Sequence, residues 1–83
     1  MAGCFVTSIN VEPNGDNLEA KLPCIFFASG LRDLSEVSIT IIPTDTLVQI
    51  KQKIVDAISA EAIRLGYSVL ASNMILPSFQ KGG

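Results

Sequence analysis

Apolar and polar residues alternate through the first third of the chain. In "FVTSINVEPNGDNLEAKLPCIFFA" the period is two, the signature of strands with one face buried and one wet. Asn14-Gly15 interrupts the alternation, and this dipeptide is the strongest short hairpin signal, because a type I′ turn needs φ > 0 at both central positions. An Asn14-Gly15 loop sets Val11 opposite Leu18, Ile9 opposite Ala20, Thr7 opposite Leu22 and Phe5 opposite Cys24 on an apolar face. The other face then pairs Glu12 with Asn17, Asn10 with Glu19 and Ser8 with Lys21. A loop one residue longer would mix the faces, so the shorter one is expected. In this register Cys4 falls opposite Ile25, on the face away from Cys24. Two free thiols are therefore expected, since a disulfide needs Cβ atoms about 3.8 Å apart. Pro23 cannot donate to a ladder, so the second strand is expected to be an edge or to bulge there.

Further along, "SGLRDLSE" (29–36) reads as a connecting loop and "VSITII" (37–42) as a third strand, with Val37, Ile39 and Ile41 on one side. The period then changes. Leu47, Ile50, Ile54, Ala57 or Ile58, Ala62 and Leu65 recur at steps of three and four, which predicts a helix over 46–65 with one buried face. Thr46 can cap it, Gln49 completes a capping box, and Gly66 supplies the left-handed stop. "YSVLASNMILPSF" after it is apolar and extended, with a bend at Asn73 and Pro77 near its end. The expected fold is α+β in a single domain over residues 1–83. It consists of a small antiparallel sheet (an N-terminal β-hairpin plus a third strand), one amphipathic helix and a C-terminal extended segment.

Composition adds a constraint on surface. Only 17% of the residues are charged, against about 25% in ordinary soluble domains, while 48% are hydrophobic. A chain of 83 residues has much surface for its volume and should need more charge, not less. Part of its surface is therefore expected to be buried against other chains. The net charge is −2 and the Lys and Arg residues are scattered, so nucleic acid is not an expected partner. No apolar run approaches the ~20 residues that span a bilayer, so neither is a membrane. "MAGCFV" matches neither a signal peptide nor a myristoylation signal, which predicts a protein made in the cytosol.

Candidate chemistry is sparse. The chain has no histidine and no tryptophan, which removes triads, Cys-His dyads and most transition-metal sites. Cys4 and Cys24 match no zinc spacing. Glu12, Asp16 and Glu19 cluster at the hairpin tip, where turn chemistry and solvation account for them. The expectation is a non-enzyme with no catalytic residues, no cofactor and no metal. Residues that could carry function are those of a contact surface. Ile25 and Phe27, with Cys4, fall on the otherwise polar face of the hairpin. Together with the segment 74–79, which holds Ile75, Leu76 and Phe79, they are the interface candidates.

Two resemblances bear on function. Ile39, Ile41, Pro43, Asp45, Thr46, Ile50, Lys51, Lys53, Ile54 and Asp56, followed at the end by Gly82 and Gly83, resemble the strand-to-helix passage and the tail of ubiquitin-like β-grasp proteins. That likeness covers 37–57 and implies a modifier with an activatable carboxylate after Gly83. Over most of its length the chain resembles, in style rather than by motif, small accessory structural proteins of tailed-phage heads and tails. It is short, lacks His and Trp, has a Thr/Ser/Asn-rich strand surface and closes with "GYSVLASNMILPSFQKGG". This resemblance implies a virion subunit made in the host cytoplasm, an oligomer partnered by copies of itself or by other structural proteins. Besides the modifier, the competing expectation is a small soluble cytoplasmic binding module, such as an inhibitor of a host protein.

Overall fold

A computed structural model describes residues 2–76. Its elements are β1 (Gly3–Val6), β2 (Asn10–Asn14), β3 (Asn17–Ala28), β4 (Leu31–Ile41), α1 (Leu47–Leu65), a single 3₁₀ turn (Ala71–Asn73) and β5 (Met74–Ile75). The α+β class is as expected. The long β3 organises the sheet. It pairs with β4 along one edge, and with β2 and then β1 along the other. β5 adds to the far side of β1 in parallel, so the sheet is mixed rather than purely antiparallel.

The first hairpin forms, but in a register two residues from the expected one. Asn14 faces Asn17, Pro13 faces Leu18, Val11 faces Ala20 and Asn10 faces Lys21, so Gly15-Asp16 is the loop. Only Gly15 in that loop has positive φ (63°), the pattern of a type II′ turn with glycine first. Pro13 is the reason. An Asn14-Gly15 loop would make Pro13 and Asp16 the closing pair, whose residues exchange both backbone hydrogen bonds. Pro13 has no N–H to give. In the observed register it points its nitrogen outward, where none is needed.

The first strand is not continuous either. β1 runs one residue out of phase with β2, because Val6 faces Cys24 whereas Asn10 faces Lys21. The slip lies opposite Pro23, which faces this edge without a donor. Its carbonyl accepts the Thr7 N–H at 3.0 Å and the Thr7 hydroxyl at 3.2 Å. A one-residue slip moves every side chain to the other face. Cys4 and Val6 therefore point into the core and Phe5 points out, the reverse of the expected arrangement. The two cysteines are free, as expected, but they share the core face. Burial, then the neighbouring Cys24, push the Cys4 thiol up to about 12, and burial raises Cys24 as well.

Residues 29–36 are not the expected loop. Only Ser29-Gly30 forms a loop; β4 begins at Leu31 and pairs with β3 without a break from Ala28↔Leu31 to Leu18↔Ile41. Ser29 and Gly30 both have positive φ (44° and 86°), the geometry of a type I′ turn. The six residues from Leu31 to Glu36, expected as part of a loop, are a strand whose helix side is only partly covered.

The helix matches its sequence signals. Thr46 caps it, the reciprocal bonds with Gln49 are 2.8 and 3.2 Å, and Gly66 closes it at φ 89°. Ile50, Ile54, Ile58 and Ala62 form the buried stripe and pack over Ala20, Leu22, Cys24 and Phe26 of β3, and over Cys4 and Val6 of β1. Polar ties fix its line along β4. Lys53 Nζ donates to the Thr40 carbonyl (2.8 Å) and to Asp45 (2.6 Å), which also accepts the Ile42 N–H (3.0 Å). Farther along, the Ser35 hydroxyl donates to Glu61, which Arg64 grips with two bonds of 2.7 and 2.6 Å. Past the helix, the Tyr67 hydroxyl donates to Asp33 at 2.6 Å and its ring rests 5.9 Å from Phe26.

Candidate interaction surface

The helix covers one face of the sheet. On the other face the registers set rows of side chains across the strands, and these rows divide by chemistry. At the β2 end they are polar: Glu12, Glu19 and Thr40 in one row, Asn10, Lys21 and Ser38 in the next. Lys21 sits between the two glutamates, 3.6 Å from Glu12 and 3.9 Å from Glu19, which offsets the repulsion of two carboxylates set opposite each other. At the β1 end the rows are apolar. Leu34 of β4 faces Ile25 of β3, Ile25 faces Phe5 of β1, and Phe5 faces Ile75 of β5, so one apolar row crosses four strands. Leu34 is 79%, Ile75 55% and Phe5 45% exposed. The adjoining row holds Gly3, Phe27 and Arg32. Glycine at position 3 leaves the space the Phe27 ring occupies, since a Cβ there would lie 2.6 Å from that ring and 3.1 Å from the Asn73 carbonyl. The ring thus lies over Gly3 of β1 and widens the patch.

Of the expected interface residues, Ile25, Phe27 and Ile75 are brought together in this patch. Leu76 is not part of it. It packs against the edge of the core and lines a shallow groove with Leu47, Val48, Val55 and Met74, between α1 and the C-terminal strand. Cys4 is buried, and Phe79 lies outside the described residues. Phe5 and Leu34 belong to the patch although the pattern pointed elsewhere: Phe5 was expected in the core, and Leu34 in a loop. For Phe5 the available signal was Pro23, which lacks the donor an unbroken ladder with the first strand would use.

No cluster of His, Cys, Asp and Glu among the described residues could hold a metal ion. Of the hairpin-tip carboxylates, Glu12 and Glu19 pair with Lys21 on an open surface. None of the described helices is long and apolar enough to cross a membrane. The chain matches no protein-family model, no curated protein and no solved structure.

Proposed function

We propose that this protein is a non-enzymatic structural subunit that works by packing against other chains in an assembly. The observation that carries the reading is the apolar row Leu34–Ile25–Phe5–Ile75 on the helix-free face, widened by Phe27. Core-forming residue types aligned across four strands and left open to water are what a surface looks like when its other half is on another molecule. The low charge of the chain fits the same reading. The resemblance to tailed-phage accessory proteins supplies the setting we propose for that assembly, a virion. The test is sedimentation of the full chain over a range of concentrations, with Phe5→Glu as the variant and circular dichroism to confirm that it folds. Concentration-dependent association that Phe5→Glu weakens supports the reading; a monodisperse monomer at high concentration refutes it. Charging of the C-terminus by an adenylating enzyme would instead favour the modifier.

A further inference from the structure

We infer that the outer edge of β4 is a homodimer contact, where two copies pair antiparallel about a two-fold axis at Leu34 and join their sheets. This rests on the assembly reading above and names its first contact. Among the described residues β4 pairs only with β3, so its other edge is open from Leu31 to Ser38, short of the Thr40 carbonyl that Lys53 takes. The direction of its backbone groups follows from the turn. Ala28 and Leu31 close a two-residue loop and so exchange hydrogen bonds, which turns the odd residues of β4 toward β3 and the even ones outward. Lys53 confirms the phase at the far end, where it takes the outward carbonyl of Thr40.

The two long edges differ in how they meet solvent. β2 presents Pro13 outward, which blocks strand addition there. From Arg32 to Ser38, β4 offers outward N–H and C=O groups with no proline and no lysine among them. It also carries an exposed leucine on each side: Leu34 on the outer face and Leu31, 67% exposed, on the helix side. On the helix side Glu61 and Tyr67 reach Ser35 and Asp33, but Leu31 and Asp33 stay exposed. A second strand therefore has room.

Side chains select the register. Outward residues must face outward residues, which restricts antiparallel self-pairing to axes through a residue of β4. With the axis at Leu34, Arg32 of each copy lies opposite Glu36 of the other, and Leu34 meets its own copy. Leu31 falls opposite Val37. Moving the axis one residue either way sets Leu34 against Arg32 or Glu36, and moving it two sets Arg32 against Arg32 or Glu36 against Glu36. Only the Leu34 axis matches charge with charge and apolar with apolar. It forms about six backbone hydrogen bonds and joins the two apolar rows into one across both sheets.

The experiment uses the full chain and sedimentation equilibrium, with circular dichroism on every variant. Arg32→Glu and Glu36→Arg each convert two attractions into two repulsions and should weaken dimerisation about tenfold or more. The double variant Arg32→Glu/Glu36→Arg should restore it, an outcome that loss of folding cannot imitate. Independently, Leu34→Cys should give a disulfide-linked dimer on mild oxidation, because facing residues of a hydrogen-bonded pair lie about 5.5 Å apart at Cα, within disulfide range. If the chain associates and Phe5→Glu weakens it, yet the charge variants change nothing and Leu34→Cys does not cross-link, the β4 contact is wrong and the assembly reading stands. If the chain is monomeric throughout, both fall.

Discussion

Replacing Ser29 tests the turn on which the largest departure from sequence expectation depends. Ser29 has φ 44°, in the left-handed region, and its side chain is exposed. An L-residue held there costs roughly 1–2 kcal/mol, and glycine escapes this because it has no Cβ. Ser29→Gly also loosens the unfolded chain, which opposes the gain by about 0.4–1 kcal/mol. The net expectation is a stabilisation of about 0.5–1 kcal/mol. Ser29→Asn should gain a similar amount, because Asn tolerates positive φ and Asn-Gly is the favoured type I′ pair. Ser29→Val should lose about 1–2 kcal/mol, since a β-branched residue resists that conformation. Urea unfolding at one fixed, low protein concentration measures all three, with an unchanged m-value showing that stability alone has moved. In a thermal scan, 1 kcal/mol corresponds to about 4–8 °C for a domain of this size. A loop over 29–36 predicts opposite signs: there Ser29→Gly only adds unfolded-state entropy and destabilises, while Ser29→Val is neutral. Observing those signs would refute the turn and the strand that follows it.

The remaining predictions concern titratable groups. Cys4 and Cys24 are 0% and 2% exposed, and burial keeps both protonated, so at pH 8 the native protein should react with a thiol reagent only as fast as it opens, whereas both thiols should titrate at once in denaturant. Rapid labelling of a folded monomer would contradict their place in the core. Glu61 is held down to about 2, first by the Arg64 guanidinium and then by the Ser35 hydroxyl. A carboxylate depressed in the folded state stabilises above its unfolded pKa and loses that contribution as pH falls through the folded one. The stability difference between the parent and Glu61→Gln should therefore be largest above about pH 5 and shrink toward pH 2; a difference independent of pH would show that Glu61 does not tie α1 to Ser35 as a carboxylate.

What the chain determines by itself is what depends on near neighbours. Thr46, Gln49 and Gly66 delimit α1 within a few residues of their partners, and the step of three and four selects Ile50, Ile54, Ile58 and Ala62 for the core. The α+β class and the first hairpin follow from local pattern in the same way. Register depends on more. A period of two sorts residues onto faces but is indifferent to a shift of two, and such a shift separates the expected hairpin from the observed one. Two prolines carried the missing information through donors they lack: Pro13 excluded the Asn14-Gly15 closure, and Pro23 interrupted the ladder so that Cys4 and Phe5 exchanged faces. Nothing local makes 31–36 a strand. Leu31 and Leu34 point to opposite sides and the residues between them are charged, so no alternation marks the segment. It is a strand because β3 is long enough to pair with it residue by residue, and β5 joins the sheet only because β1, some seventy residues earlier in the chain, offers it an edge. The interaction surface inherits that dependence, since Leu34, Ile25, Phe5 and Ile75 come from four strands and become a row only when hydrogen-bonded pairing sets them side by side.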